Sequence, residues 1–565
     1  MYEKLKTLMK KFNIMELKEI LGNDISESLL EWLPETRTDF NKSEYVDMIL
    51  CVKGIKILQD KSFRSRIINK LSEGDVLTFS SVMDIDSQEI MRAKILNSPF
   101  TNKNKIAVKL LEVLDVPFEY VWNKKLENEN VVQVSSYDKF YELLDYQYLI
   151  KQRVLKELNS DIDLNRMLVH MPTGTGKTKT TMHTLINYFI FTMKKKGVIV
   201  WIAHTKELLE QAYSTFCSVW KHLGMQDVNI YKLWGDADVE INENTNGIVF
   251  CGIQKLSAVN NKPIHNALIN RVRLIIFDEA HKAAASETRA IVESFMIKKE
   301  GMCNRHLVGL TATPGRTTLD SNENLLLVNM FNNKLISIDT KVLNQINLSQ
   351  TEAKNAYVET DIIKYFQDRK ILAKLFKEEL EYEETFSNEE LKKLHRIAVN
   401  TSDKDYSYEA LAIFGKNRSR NTAILKRLRE LSANNIPTIV FACSVEHSKL
   451  LSAVLTIEGI KNSLVIGDME SQEREQAIAD FKNNKVGIII NFGVLTTGFD
   501  STNIKCVFIA RPTKSVVLYS QMIGRGLRGP QMGGNEECLL IDVKDNLLSF
   551  NENRAFNHFG NYWNN

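Results

Sequence analysis

Residues 171–178 read Met-Pro-Thr-Gly-Thr-Gly-Lys-Thr, and Asp-Glu-Ala-His follows well downstream at 278–281. Backbone N–H groups around Thr173, Gly174, Thr175 and Gly176 can curl about a polyphosphate, while Lys177 reaches its terminal phosphates and Thr178 offers a hydroxyl to Mg²⁺. Met171 stands where the loop formula asks for Gly, a position that mainly starts the turn, and Gly176, Lys177 and Thr178 match it. Asp278 follows an apolar run and is placed to hold Mg²⁺, and Glu279 beside it to orient and deprotonate an attacking water. Phosphate loop first and carboxylates second is the order of a nucleoside-triphosphate hydrolase. Near the end of the chain, residues 521–528 read Gln-Met-Ile-Gly-Arg-Gly-Leu-Arg. Arg525 and Arg528, three apart, are expected on one face of a helix turn, where guanidinium groups suit a phosphate approaching from a facing domain.

These groups need rigid elements to aim them. Short apolar runs at 167–169, 198–203, 247–251, 274–277 and 307–310 alternate with helical stretches such as 177–191, which reads as a parallel sheet covered by helices. A second series begins at 438–442 and continues at 464–466, 486–491, 506–510 and 539–543. Ligands of open parallel sheets bind beyond the carboxyl ends of strands, where the loop and Asp278 both fall. The expected organisation is a helical N-terminal accessory region over 1–135, a first α/β domain over 136–345, a helical connector over 346–430 and a second α/β domain over 431–565. Helices are expected at 43–58 and 106–114 in the first of these regions, and no chemistry is recognisable there. Since every motor element lies downstream, removing 1–135 is expected to leave a working motor. The acidic run 378–384 and the basic run 416–429 read as solvated helix faces.

With 565 residues, 44% apolar and 25% charged, and a net charge of +3, the chain has the composition of a soluble protein of several domains. A nucleic-acid surface must then be a local groove. Seven cysteines show no Cys-x-x-Cys pair, which disfavours zinc and disulfide frameworks and fits a reducing cytoplasm. The first 22 residues lack the apolar core of a secretory signal, and no run of 18 apolar residues follows. The remaining compositional feature is an Asn-rich tail after Phe550.

Loop, Asp-Glu-Ala-His, Thr311-Ala-Thr-Pro, Leu495-Thr-Thr-Gly-Phe-Asp500 and the 521–528 run occur in one order on one chain. That order resembles superfamily-two helicases and translocases, in particular the branch of restriction-enzyme motor subunits, nucleotide-excision helicases and related DEAH-type proteins, over about 145–545. The resemblance implies two RecA-like motor domains in tandem, with ATP and Mg²⁺ between them and Arg525, Arg528 and Gln521 capping the site. It further implies that Gln147 reads the adenine edge, although a Tyr-Gln pair leaves Tyr146 equally suited to the core. Gly498 and Asp500 match the element that senses nucleotide, and Thr311 and Thr313 the coupling element, with His281 as partner. His204, Thr205, Lys206, Gln254, Lys255 and Ser444 look like contacts to a nucleic-acid backbone.

The implied function is an ATP-dependent DNA helicase or double-strand DNA translocase in genome maintenance or anti-phage defence. An RNA helicase, or a recruitment subunit docking a nuclease through 1–135, remains open at this level. Longer than a simple link, the 346–430 connector, including the run Ile-Lys-Tyr-Phe-Gln-Asp-Arg-Lys-Ile-Leu-Ala from 363, reads as an accessory element touching nucleic acid or a protein partner. No membrane association is expected.

Overall fold

A computed structural model describes residues 2–33, 37–85, 87–122, 131–135, 142–162, 164–235, 239–260, 262–297, 304–315, 321–338, 362–383, 386–387, 389–390, 393–394 and 405–544. The Asn-rich tail lies outside the described residues.

The first sheet holds β1 (Val131–Val134), β2 (Leu164–His170), β3 (Val198–Ala203), β4 (Val228–Leu233), β5 (Gly247–Gly252), β6 (Val272–Asp278), β7 (Arg305–Thr311) and β8 (Leu335–Ser337). Their order is β1-β4-β5-β3-β6-β7-β2-β8, parallel except for β1 against β4. The second sheet holds β9 (Lys374–Leu380), β10 (Thr438–Phe441), β11 (Asn462–Val465), β12 (Ile488–Asn491), β13 (Cys506–Ile509) and β14 (Glu537–Val543), ordered β11-β12-β10-β13-β14-β9 and parallel throughout. Central strands such as β3, β5 and β7 are buried along their whole length, as continuous apolar runs between two helix layers must be.

Three placements depart from the sequence reading. Val131–Val134, assigned by sequence to the helical N-terminal region, is an edge strand of the first sheet. Lys374–Leu380, assigned to the helical connector, pairs along all seven residues with β14, so the acidic run begins on a strand. The basic helix Arg418–Ala433 sends Ile424, Leu425, Leu428 and Leu431 into the same core as Val440 and Phe508, and the second domain therefore begins well before residue 431. The two charge runs answer each other: Arg427 grips both oxygens of Glu378 at 2.7 Å.

The N-terminal region is a stack of short helices with side-chain caps. Asn13, Asn41 and Ser72 each accept the N–H three residues on, and Glu16, Glu44 and Asp75 reach back. It is not a separate unit. Helix Lys42–Lys53 lies against helix Val445–Ile457 of the second domain, and Met48, Ile49 and Val52 join Leu451, Val454 and Leu455 in one apolar cluster. The Arg418 guanidinium donates to the Glu31 carbonyl at 2.8 Å, Lys56 pairs with Glu470 at 2.9 Å, and Trp32 meets His447 edge-on at 6.3 Å. Among the described residues, no helix is long and apolar enough to cross a membrane.

Candidate functional site

Residues 171–178 leave the carboxyl end of β2 and enter helix Lys177–Asn187. Gly174 and Gly176 sit at φ +87° and +81°, the left-handed backbone that lets consecutive N–H groups face one cavity and that other residues resist. Met171 is fully buried in the core, which explains why a large apolar residue stands at the turn's start. The Thr175 carbonyl accepts from Tyr146 Oη at 2.7 Å and Gln147 Nε2 at 2.9 Å.

Gln147 is thereby tied to the loop. Its amide nitrogen is occupied by Thr175, its oxygen accepts the Leu144 N–H at 3.0 Å, and the residue is 1% exposed. In this conformation it braces the phosphate loop. Tyr146 is likewise in the core.

Asp278 ends β6 and is 4% exposed, and Glu279 follows at φ +53°, a left-handed position for a residue with a side chain. Such local strain persists where the surroundings over-determine it, and it clusters at active sites. Burial pushes Asp278 up to about 6 against the pull of Lys177. Burial also acts to raise Glu279, but the positive groups around it, Lys177 foremost, hold it below its ordinary value. His281 Nδ1 lies 3.3 Å from Thr311 Oγ1 and 3.3 Å from Glu279 Oε2; Thr311 Oγ1 in turn donates to the Thr313 carbonyl at 2.7 Å. Burial lowers His281 to about 4, so it is neutral near pH 7. The expected trio of His281, Thr311 and Thr313 is thus brought together beside Glu279. His170, which sequence reasoning passed over, points its Nε2 at the Ala312 carbonyl at 3.1 Å.

The second sheet folds its 521–528 run onto this loop. A Cβ on Gly524 would come within 2.5 Å of Thr173, and one on Gly174 within 3.2 Å of Leu372 and 3.7 Å of Leu527. Arg525 is half-buried; desolvation lowers it to about 10, and the charge of Glu279 in the other domain is the strongest opposing pull. Its guanidinium donates to the Phe499 and Gln521 carbonyls. Arg528 pairs with Asp500 at 2.8 Å. Gln521 Nε2 is buried without a hydrogen-bond partner among the described residues. Helix Val516–Ile523 ends before either arginine: Arg525 lies in the turn after it and Arg528 in an isolated bridge with Leu372, so they do not share one helix face. Gly524 and Gly526 favour that stop. Gly498, at φ +71°, lies against Glu207 and Leu208, where a Cβ would come within 2.9 Å.

The expected nucleic-acid contacts are placed unequally. Gln254 and Lys206 are exposed and Lys255 is half-buried; Lys206 lies 3.3 Å from Glu210 and 3.9 Å from Glu475. Thr205 caps helix Lys206–Leu223 by accepting the Leu208 N–H, and His204 stands half-buried, edge-on to Phe277 at 5.5 Å. Ser444 does not fit the expectation. It is 3% exposed, and its hydroxyl caps helix Val445–Ile457 by accepting the His447 N–H at 3.0 Å. A strand that turns directly into a buried helix needs such a cap, and that role accounts for the serine.

The positive-φ glycines, the orphaned Gln521 amide and a hydroxyl–carboxylate pair of hard oxygen donors, Thr178 and Asp278, fit a nucleoside triphosphate with Mg²⁺.

Residues 140–316 match the family described as type III restriction enzyme, res subunit, and residues 420–529 match the helicase conserved C-terminal domain. The "Putative ATP-dependent helicase IRC3" of Saccharomyces cerevisiae is 26% identical over 387 residues, 67% of this chain and 48% of that protein. The "Putative mitochondrial ATP-dependent helicase irc3" of Schizosaccharomyces pombe is 28% identical over 385 residues, 68% of this chain and 54% of that protein. A third relative, the "Putative ATP-dependent DNA helicase fml2" of Schizosaccharomyces pombe, is 30% identical over 168 residues, covering 29% of this chain and 20% of that protein. The match thus spans about half the length of the first two relatives. With both helicase domains matched in tandem, on two largely parallel sheets that meet at the phosphate loop, the chain belongs to the superfamily-two helicases and translocases.

Proposed function

We propose that this chain is an ATP-dependent DNA helicase or double-strand DNA translocase. The observation that carries the reading is the placement of Arg525, a half-buried second-domain guanidinium next to Gly524, which lies directly against Thr173 of the phosphate loop. Lys177 and the loop amides of 173–178 hold the triphosphate, and Thr178 and Asp278 hold Mg²⁺. The bound Mg²⁺ supplies charge neutralisation at the phosphates. Glu279 orients the attacking water and takes its proton, and Arg525 faces the charge that develops on the transferred phosphoryl group. Arg528 is fixed by Asp500, and Gln521 presents its free amide to the same region. Since Arg525 acts only while the domains are closed, hydrolysis is tied to closure, and loss of the terminal phosphate loosens it.

Movement follows if two surfaces grip one backbone on either side of that hinge. On the first domain these are Lys206, Gln254 and Lys255, with Thr205 and His204 at their margin. DNA is favoured over RNA by the restriction-enzyme family match and by the relative whose name specifies DNA. The proposed setting is cytoplasmic genome maintenance or anti-phage restriction, with a protein partner docking on the N-terminal helices or the connector.

ATP turnover measured with single-stranded DNA, duplex DNA and RNA tests this. Stimulation by DNA well above that by RNA is expected. Equal turnover with and without any nucleic acid would contradict a motor, and preference for RNA would contradict DNA.

A further inference from the structure

The connector run from 362 to 373 touches both walls of the ATP site. On the first-domain side, Phe366 packs edge-on against Tyr146 with ring centroids 4.9 Å apart. Arg369 grips Asp145 through both terminal nitrogens, at 3.0 and 2.8 Å, and also donates to the Tyr365 hydroxyl. Asp145 opens the helix whose next two residues, Tyr146 and Gln147, hold the Thr175 carbonyl of the phosphate loop. On the second-domain side, the Ala373 N–H donates to the Leu527 carbonyl at 2.8 Å, and the Gly529 N–H to the Ile371 carbonyl at 2.9 Å. Leu372 pairs with Arg528 in an isolated antiparallel bridge and lies against Gly174.

We propose that this segment is a strut between the arginine run and the phosphate loop, and that the Asp145–Arg369 pair is its clasp. Both are positioning residues. They touch no substrate, but they set the angle at which Tyr146 and Gln147 hold Thr175, and so convey the placement of the second domain to the phosphate cradle. A two-point guanidinium–carboxylate contact suits that task because it fixes orientation as well as distance. The side chains are 27% and 32% exposed, so the pair contributes little to global stability, and its effect belongs in nucleotide affinity. Stability is therefore the control and affinity the readout. This inference rests on the ATP-hydrolysing reading above.

The test uses the full chain with Arg369→Gln, Asp145→Asn, both together, and the exchanged pair Asp145→Arg with Arg369→Asp. ATP turnover is measured with duplex DNA present, melting temperature alongside, and amide hydrogen exchange at 174–177 without nucleotide. Each single variant should raise KM for ATP about 5-fold, keep kcat within about 2-fold and melt with the parent. The double variant should be no worse than either single one, because one interaction is lost once. The exchanged pair should recover part of the affinity, and exchange at the loop should quicken in each single variant. Additive effects in the double variant, or parental KM and parental loop exchange in Arg369→Gln, would overturn the strut. If the parent chain hydrolyses no ATP, the proposed function fails, and loop exchange alone then decides the strut.

Discussion

The two sheets differ in what covers them. One face of the first is closed by its own helices, in the cluster joining Val200, Ile275 and Leu307 to Leu268 and Phe295, and the other, through Ile199, Phe250 and Ile276, belongs to a cluster that reaches the second domain. The second has one face in a cluster shared with the first domain, through Phe441, Val507 and Leu540, and the other in a cluster shared with the N-terminal helices. The contrast extends to the carboxyl edges. The first sheet's edge carries the glycine loop, buried Asp278 and strained Glu279. At the matching place on the second, Ser444 is a helix cap, under a small cluster of Leu411, Phe414 and Cys443. In the proposed mechanism one domain therefore holds the ATP chemistry, while the other lends an arginine to it and bears the accessory region.

That division predicts unequal sensitivity. Lys177→Ala should leave the fold intact and cut ATP turnover about 10³-fold, since a preorganised charge at the phosphates is lost; turnover near the parental level in a folded variant would break the comparison. Glu279→Gln should lower turnover by about 10² to 10⁴ with nucleotide still bound, because an amide takes no proton from water. Failure of that variant to bind ATP would make Glu279 part of the fold.

Removing residues 1–122 should damage the second domain alone. Uncovering Leu451, Val454, Leu455 and their neighbours forfeits on the order of 5 kcal/mol or more, comparable with a domain's whole stability. Calorimetry of the truncated chain should show an early or missing transition and aggregation. A melt matching the full chain would mean that the shared cluster is dispensable, as the sequence alone had suggested.

The smallest effect is a pH slope. Burial, with Arg420 nearby, holds His447 well below its ordinary value; Cys443 donates its N–H to Nδ1, and Nε2 lies 3.0 Å from Asn421 Oδ1. The folded chain therefore keeps His447 neutral while the unfolded chain takes up a proton below about 6.5. Stability is fully present above that value and falls as pH drops toward the folded value, by up to about 1.4 kcal/mol per pH unit from this residue. Denaturant melts of His447→Gln between pH 7 and pH 5 should show a shallower loss than the parent.

The central strands, and the motifs placed at their carboxyl ends, were legible because their signals are local. A strand buried on both faces is a run of apolar residues, and a phosphate loop or Asp-Glu-Ala-His is a fixed spacing. β1, β4, β8 and β9 escaped: β1, β8 and β9 sit at sheet edges, and Lys-Leu-Phe-Lys-Glu-Glu-Leu in β9 has no buried position to betray a strand. The Asp145–Arg369 clasp escaped because its halves lie 224 positions apart. Gln147 and Ser444 were identified as polar groups in the right motifs, but sequence does not say whether a polar atom faces a ligand or the chain's own backbone.

The most direct measurement of the two-domain site is turnover of Arg525→Ala and Arg525→Lys at saturating ATP and DNA, with nucleotide affinity measured separately. Closure over the loop predicts a loss of about 10³-fold or more in kcat for the alanine variant, with little change in affinity and no full rescue by lysine, whose single ammonium does not reproduce the planar fork. Parental turnover in Arg525→Ala would show that the ATP site is completed without the second domain, and would contradict the mechanism.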